Sequence, residues 1–186
     1  RAGCDNIWMV AESASQNILD AMDKGTTVEQ INESTKLIRK YGMKPSFFIQ
    51  FGYLGETKED IRKTIAMINE LLPYEIGISV SYPLPGTGFY EKVKSQLKEK
   101  TNWTDSDELA LMFSNTYQPA FYKQLYRYVH RSYRMHLAKD NINQLFSHPA
   151  KTSFKKIKKA ASYFYYLPAS IISKMKLNAL EKSTAS

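Results

Sequence analysis

The chain of 186 residues has only one cysteine, Cys4, and three histidines. A single thiol cannot form an internal disulfide, and it cannot hold a zinc ion or an iron–sulfur cluster by itself. No apolar run approaches the length of about 18 residues that a membrane-spanning helix needs. The sequence shows no signal-peptide pattern, so we expect a soluble, cytoplasmic protein.

Acidic residues are scarce in the last third of the chain, and the net charge of +8 arises there. Residues 1–119 contain 13 Lys and Arg against 16 Asp and Glu, whereas residues 120–186 contain 13 against two. Such an asymmetry indicates a boundary between two parts. We predict one domain over residues 1–119 and a basic helical extension over residues 120–186.

Three apolar segments predict β-strands over residues 6–11, 44–51 and 76–82. Each is followed by a helical pattern, and the near-continuous apolar character of the second segment is typical of a parallel strand covered on both faces. The helices are expected over residues 15–22, between Thr27 and Gly42, from Thr57 to Pro73, and over residues 87–99.

Local signals place several helix ends. Thr27 with Gln30 forms a capping-box pattern, Thr57 with Asp60 gives a second start signal, and Gly42 is a helix C-terminal cap. Residues 105–108 also resemble a helix start. These signals are short-range, so they predict boundaries without any knowledge of the tertiary fold.

The last third of the chain is predicted to be helical. Apolar residues share one face of a long helix, namely Phe121, Leu125, Val129, Tyr133 and Leu137, and His148-Pro149 interrupts the pattern. Residues 151–182 predict two short basic helices separated near Pro168. His130-Arg131 is expected on a solvated face of the long helix.

The fold class is therefore α/β, with the order βαβαβα and a helical tail. Three strands cannot close an eight-stranded barrel, and a three-stranded parallel sheet is a poor core by itself. We expect these residues to be the C-terminal portion of a larger barrel-like domain, with three βα units. Ligands of such folds gather at the carboxyl ends of the strands.

Glu12 and Ser13 stand where the first strand ends. A carboxylate there can accept hydrogen bonds from a ribose or an ammonium group. The alternative is a purely structural helix start, in which Ser13 or Ser15 caps the helix and Glu12 interacts with its dipole.

The other two strand ends are equally ambiguous. Gln50 is a polar residue late in an apolar strand, so its side chain needs a hydrogen-bond partner. Gly55-Glu56-Thr57 indicates either a close approach of the backbone to a ligand or a turn followed by a helix N-cap. Ser79 and Ser81 alternate with apolar residues on the third strand. Small side chains there either leave room for a ligand or serve packing.

Lysines and aromatic residues are interleaved in the tail. Residues 151–176 either meet an anionic surface, which could be RNA or a membrane, or form a solvated helix face. The sequence of four aromatic residues over 163–166 favours interaction with a partner.

Three segments resemble the radical S-adenosylmethionine (SAM) superfamily. Residues 2–22 are similar to the middle of its catalytic domain, residues 51–61 to the next strand and loop, and residues 81–90 to the one after. Their order and spacing are also those of the superfamily. Within it, the segments resemble the subgroup with a cobalamin-binding domain, including relatives of the anaerobic Mg-protoporphyrin monomethyl ester cyclase. The resemblance covers about residues 1–130.

The resemblance implies a partial (β/α)6 barrel. In the family, three cysteines of a CxxxCxxC motif hold a 4Fe-4S cluster, and reductive cleavage of SAM gives a 5′-deoxyadenosyl radical. It implies SAM-binding roles for Glu12 and Ser13, for Gln50 and Gly52, and for Ser81 and Tyr82. It also implies a small-molecule substrate, a reductant protein, the N-terminal remainder of the enzyme and, for this subgroup, cobalamin.

The chain departs from the family pattern in three ways. Ala14 stands where Gly is usual, which would strain a left-handed turn, and Leu54 stands where Pro is usual. The cluster motif is absent, so no metal ligand and no catalytic residue is assigned, and we expect the chain alone to be inactive. Two alternatives remain: a non-catalytic barrel remnant that binds a partner through its basic tail, and an RNA-modifying radical SAM enzyme.

Overall fold

A computed structural model describes residues 3–97, 113, 116–147 and 153–182. The chain divides into two compact units, Arg1–Lys123 and Gln124–Ser186. The predicted helix start at residues 105–108 and the predicted break at His148-Pro149 lie outside the described residues.

The first unit alternates strands and helices as the sequence predicts. Its elements are β1 (Asn6–Glu12), α1 (Gln16–Ala21), α2 (Val28–Lys40), β2 (Lys44–Phe51), α3 (Lys58–Leu71), β3 (Ile76–Val80) and α4 (Gly88–Val93), with a short 3-10 helix at Lys94–Gln96. The strands form one parallel sheet in the order β1-β2-β3. The α/β class with three parallel strands is therefore confirmed.

The two faces of the sheet differ in burial. Phe47, Ile49 and Phe51 on β2 are buried, and α2 packs against β1 and β2. On the other face the exposed fractions are 40% for Trp8 and 48% for Phe48, although their rings stack with centroids 4.4 Å apart. This face presents a large apolar surface, whereas parallel sheets are ordinarily covered on both sides.

Gly77 makes room for that aromatic stack. A Cβ atom at Gly77 would lie 3.2 Å from Phe48 Cδ1 and 3.5 Å from Trp8 Cζ3. The absence of a side chain at Gly77 thus lets the two rings lie close to β3.

The predicted helix caps are confirmed. Thr27 and Gln30 form a complete capping box at α2, and Thr57 and Asp60 form another at α3. Gly42 follows α2 with φ +77°, the left-handed geometry that favours glycine after a helix.

Two predicted boundaries are wrong. β3 ends at Val80 rather than at residue 82: the Ser81 N–H still donates to Phe51 O at 2.8 Å, but Pro83 has no N–H to extend the ladder. The helix expected over residues 87–99 is α4 followed by the 3-10 turn, and residues beyond 97 in that range are not described.

Two loops at the carboxyl edge of the sheet contain the same kind of turn. In Tyr53–Glu56 the Glu56 N–H donates to Tyr53 O at 3.0 Å, and Gly55 has φ +85°. In Leu84–Thr87 the Thr87 N–H donates to Leu84 O at 3.1 Å, and Gly86 has φ +85°. A glycine with positive φ at the third position is typical of a type II turn, which favours proline at the second.

We expect Leu54→Pro to stabilise the first of these turns by about 0.4–1 kcal/mol, because proline restricts the unfolded chain at a position that Pro85 occupies in the second turn. Gly55→Ala serves as the opposite case and should destabilise by about 1 kcal/mol, since a Cβ is strained at positive φ. Urea denaturation of the three proteins measures both effects. A destabilised Leu54→Pro variant would contradict the assignment of the turn.

The second unit contains most of the long helix α5 (Pro119–Ser147), then α6 (Phe154–Ala161) and α7 (Tyr163–Lys182). Leu125, Val129 and Tyr133 are buried as the pattern predicts, and Ala138 is buried in the following turn, whereas Leu137 is only half-buried. Among the described residues, no helix has the length and apolar character required to cross a membrane.

Two predictions about this unit are wrong. The break between the tail helices falls at Ser162, and Pro168 lies inside α7. Ser173, about one turn after Pro168, makes contacts that stabilise α7. Arg131 Nη1 donates to Ser173 Oγ at 2.5 Å, and Gln124 Nε2 donates to Ser173 O at 2.9 Å. Arg131 therefore does not lie on a freely solvated face.

Candidate functional site

The three loops with the predicted site residues follow the carboxyl ends of neighbouring parallel strands. In the sheet, Glu12 is paired with Ile49, and Phe51 with Val80, so β1, β2 and β3 end at the same edge. One side-chain contact joins two predicted residues directly: Gln50 Nε2 donates to Ser81 Oγ at 3.0 Å. This edge is the candidate site.

Glu12 has an unusual backbone conformation. A bulge between Val10 and Glu12 shifts the register, and Glu12 has φ +48°. The Ser13 N–H donates to Ala11 O at 2.6 Å across it, which closes a very tight turn. A non-glycine residue in the left-handed region is uncommon and costs free energy, and such residues concentrate at functional sites.

The turn buries the carboxylate of Glu12. The residue is 7% exposed, and Oε1 forms an ion pair with Lys24 Nζ at 3.0 Å. Oε2 is also buried and has no hydrogen-bond partner among the residues that the structure describes. A buried carboxylate oxygen needs a donor, so the geometry suits a hydroxyl or ammonium group of a ligand.

Ser13 has a structural role at this edge, because its side chain attaches the loop after β1 to α3. Its hydroxyl is completely buried, lies 3.2 Å from the hydroxyl of Thr64 and accepts the Ser15 N–H at 3.1 Å. Thr64 Oγ1 also accepts the Ala14 N–H at 3.0 Å. These bonds attach the loop after β1 to α3.

Ser15 adds a second attachment between the same elements. It stands at the N-cap of α1 but makes no capping side-chain bond, because its hydroxyl donates to Asp60 Oδ1 at 2.6 Å. Burial alone would raise the pKa of Asp60, but hydrogen bonds from Ser15 and Thr57 outweigh it and lower the pKa. Neither Ser13 nor Ser15 caps α1 with its side chain, and the strained residue is Glu12, not Ala14.

Gly52 and Glu56 hold the loop after β2. Gly52 is buried with φ +76°, and its N–H donates to Glu56 Oε2 at 2.6 Å.

The other predicted site residues differ in burial. Gln50 is half-buried, and Ser81 is 1% exposed. Tyr82, half-buried, follows β3. Ser79 within β3 is exposed, so it differs in environment from the buried Ser81 just after the strand.

The carboxyl group of Glu56 is 1% exposed. Burial raises its pKa to about 8, and the charge of Asp60 adds to the rise while the Gly52 N–H opposes it. Oε1 has no hydrogen-bond partner within the described part of the chain. Burial and the charge of Glu56 also raise the pKa of Tyr122, whose buried hydroxyl likewise has no described partner. At neutral pH Glu56 is therefore mostly protonated.

Glu56 makes stability depend on pH. Its folded pKa of about 8 exceeds the ordinary value of 4.5, so its contribution to stability is fully present below pH 4.5 and is lost as pH rises through 8. Glu56→Gln keeps an acceptor for Gly52 but cannot ionise. We expect the Tm of this variant, relative to that of the wild type, to rise by about 10 °C between pH 5 and pH 9.

Thermal denaturation at a series of pH values measures this difference, with the exposed Glu59→Gln as the matched control on α3. Parallel pH profiles for the wild type and Glu56→Gln would show that Glu56 ionises normally in the folded protein.

Sequence reasoning missed several residues of this edge. Lys24 pairs with Glu12 across α1, and Thr64 reaches Ser13 from α3; no spacing signal in the sequence identifies either contact. Tyr53 packs its ring on Phe89 at a centroid distance of 4.7 Å and donates its hydroxyl to Ala21 O at 2.7 Å. The sequence did single out Glu56, as part of a segment that either approaches a ligand with its backbone or forms a turn with an N-cap, but it gave no role to the buried carboxyl group.

The described residues contain no group of three or more His, Cys, Asp and Glu side chains that could hold a metal ion. Cys4 is exposed and lies before β1. The residues present therefore do not fit a 4Fe-4S cluster, which takes several cysteine ligands.

The fold and the edge define an α/β domain with a polar edge at the carboxyl ends of its parallel strands. No family model matches the chain. Among curated proteins, the chain is 29% identical over 102 residues to an uncharacterized methyltransferase of Pyrococcus horikoshii, covering 54% of the chain and 22% of the relative. It is 33% identical over 87 residues to the tRNA-2-methylthio-N(6)-dimethylallyladenosine synthase of a Sulfurihydrogenibium species, covering 45% and 20%.

A third relative is the anaerobic magnesium-protoporphyrin IX monomethyl ester cyclase of Cereibacter sphaeroides, 29% identical over 98 residues, which are 53% of the chain and 16% of the relative. The matched part of the chain thus spans about a fifth of each relative's length. The matches support the resemblance of the chain to the radical SAM superfamily over about half of its length.

Proposed function

We propose that residues 3–97 form part of the catalytic domain of a radical SAM enzyme, and that the carboxyl edge of the sheet binds the nucleoside portion of SAM. The observation that carries the proposal is the buried carboxylate of Glu12, which lies in a strained turn with Oε2 unpartnered among the described residues. Ribose hydroxyls are donors of the kind that this oxygen needs.

Other groups of the edge would complete the binding surface. Gln50 and Ser81 are already joined by a hydrogen bond, which orients the amide group of Gln50. Gly52 would allow a planar base to approach the backbone of β2, and Tyr82 would line the same end of the sheet. The family resemblance supports these roles.

The uncovered face of the sheet supports a larger barrel. Trp8, Val10 and Phe48 are 40–56% exposed on a parallel sheet that has helices on its other side. Closure with further strands would make this face a barrel interior and bury these side chains. We therefore propose that the three βα units belong to a partial (β/α)6 barrel.

Bound SAM and a 4Fe-4S cluster would together supply a radical that abstracts hydrogen from a substrate. The cluster ligands would come from chain outside the printed sequence, since it contains one cysteine. A reductant protein, cobalamin and a small-molecule substrate remain part of this proposal. The contribution of the present residues is to bind and orient SAM and to exclude water from the strand ends.

Glu12→Gln tests the proposal in the complete enzyme that contains this chain, reconstituted with its cluster. The variant keeps the shape of the side chain but replaces the carboxylate, so charge-assisted hydrogen bonds to a ribose are weakened. We expect about a tenfold rise in the dissociation constant for SAM, measured by equilibrium dialysis.

Glu29→Gln, on the exposed first turn of α2, is the matched control and should bind SAM normally. Unchanged affinity in folded Glu12→Gln would overturn the assignment of Glu12. The same loss in both variants would show that the effect is one of overall charge.

An RNA-modifying radical SAM enzyme is the second candidate. One relative is named as a tRNA-2-methylthio-N(6)-dimethylallyladenosine synthase, and this name is the observation that favours the alternative. Strongly salt-dependent binding of tRNA by the complete enzyme would support it.

A further inference from the structure

The tail helices expose a continuous apolar stripe. It consists of Phe154 and Ile157 on α6 and of Phe164, Ile171, Ile172 and Met175 on α7, with exposed fractions from 48% to 83%. Ala161 and Pro168, also exposed, fill the positions between them. From Phe154 to Met175 the spacing alternates between three and four residues, so these side chains share one face across both helices.

The opposite face of α7 is the one that packs. Ser170, Ser173 and Leu177 are buried there, and Ser173 accepts hydrogen bonds from Arg131 and Gln124 of α5. Two positions separate Ile171 from Ser173, and two separate Met175 from Leu177, which corresponds to about 200° around an α-helix. The exposed stripe is therefore not the face that holds the tail to α5.

Positive charge flanks the exposed stripe. Residues 153–180 contain six lysines and no Asp or Glu. Lys155, Lys158 and Lys159 are exposed on α6, and Lys174 and Lys176 are exposed on α7. An exposed apolar patch with a rim of one charge sign marks an interaction site whose partner is both apolar and anionic.

We propose that α6 and α7 bind the surface of an anionic lipid bilayer, with the exposed stripe inserted at the level of the headgroups. Amphipathic helices with Phe and aliphatic residues on one side and lysines beside them bind such interfaces. Apolar burial and attraction to anionic headgroups then act together. This inference is independent of SAM binding, because it concerns only the tail helices.

The composition of the stripe favours lipid over RNA and over a second copy. Four of its six side chains, Ile157, Ile171, Ile172 and Met175, offer neither an aromatic face for base stacking nor a hydrogen bond to a base, and only Phe154 and Phe164 could stack on one. A second copy of the same surface would bring lysines against lysines with no acidic residue in 153–180 to pair with them.

Vesicle co-sedimentation of the full chain tests the proposal. We expect binding to phosphatidylcholine vesicles that contain about one third phosphatidylserine, weaker binding to pure phosphatidylcholine, and a decrease with salt. The double variant Ile157→Gln/Ile171→Gln removes apolar area from the stripe, and Lys155→Gln/Lys159→Gln removes charge. Each should weaken binding about tenfold.

Two double variants in the first unit are the controls. Leu37→Gln/Leu84→Gln changes two leucines that are 53% and 55% exposed, and Lys36→Gln/Lys40→Gln removes two exposed lysines of α2. Both should bind vesicles like the wild type. Circular dichroism verifies folding, and Phe164→Gln, at a residue 78% exposed, replaces the stripe variant if that variant unfolds.

Several results would overturn the proposal. One is a wild-type chain that does not sediment with anionic vesicles, and another is a folded stripe variant that binds as well as the wild type. A third is binding to polyuridylate that depends on the lysines but not on the stripe, which would identify an RNA surface. Self-association that the stripe variant abolishes, without vesicle binding, would identify a second copy as the partner.

Discussion

Parallel pairing of β1, β2 and β3 is the constraint on which the first unit depends. Because each strand runs in the same direction, each connection must return across the sheet, and all three strand ends meet at one edge. Glu12, Gly52 and Ser81 come together for this reason although about 70 residues of chain separate the first from the last. Helices α2 and α3 provide the returns and start at complete capping boxes.

Two buried carboxyl groups at this edge have different environments. One carboxylate oxygen of Glu12 forms an ion pair with Lys24. Glu56, in contrast, accepts a backbone N–H and is mostly protonated at neutral pH. Glu12 can therefore provide a charged acceptor for a ligand, and Glu56 stabilises the loop at Gly52. The strain at Glu12 destabilises the fold, as do the oxygens of Glu12 and Glu56 that have no partner in the described part of the chain. A bound ligand with donors would offset part of this cost.

Local chemistry explains which features the sequence predicts. The bounds of β2, the capping boxes and the turn glycines depend on residues within a few positions of one another, so pattern and propensity identify them. The contacts of Glu12 with Lys24 and of Ser13 with Thr64 depend on how α1 and α3 pack, which no spacing reveals. The break expected at Pro168 is displaced to Ser162, because the contacts of Ser173 with α5 support a helix that contains the proline.

The central claim is that the carboxyl edge of this sheet binds SAM, and hydrogen–deuterium exchange of the complete enzyme with and without SAM tests it directly. Slower exchange on addition of SAM should be confined to the strand ends and their loops, around residues 11–15, 50–56 and 81–83, because a bound ligand suppresses local opening there. Unchanged exchange in these three segments, with protection elsewhere in a protein that binds SAM, would contradict the account.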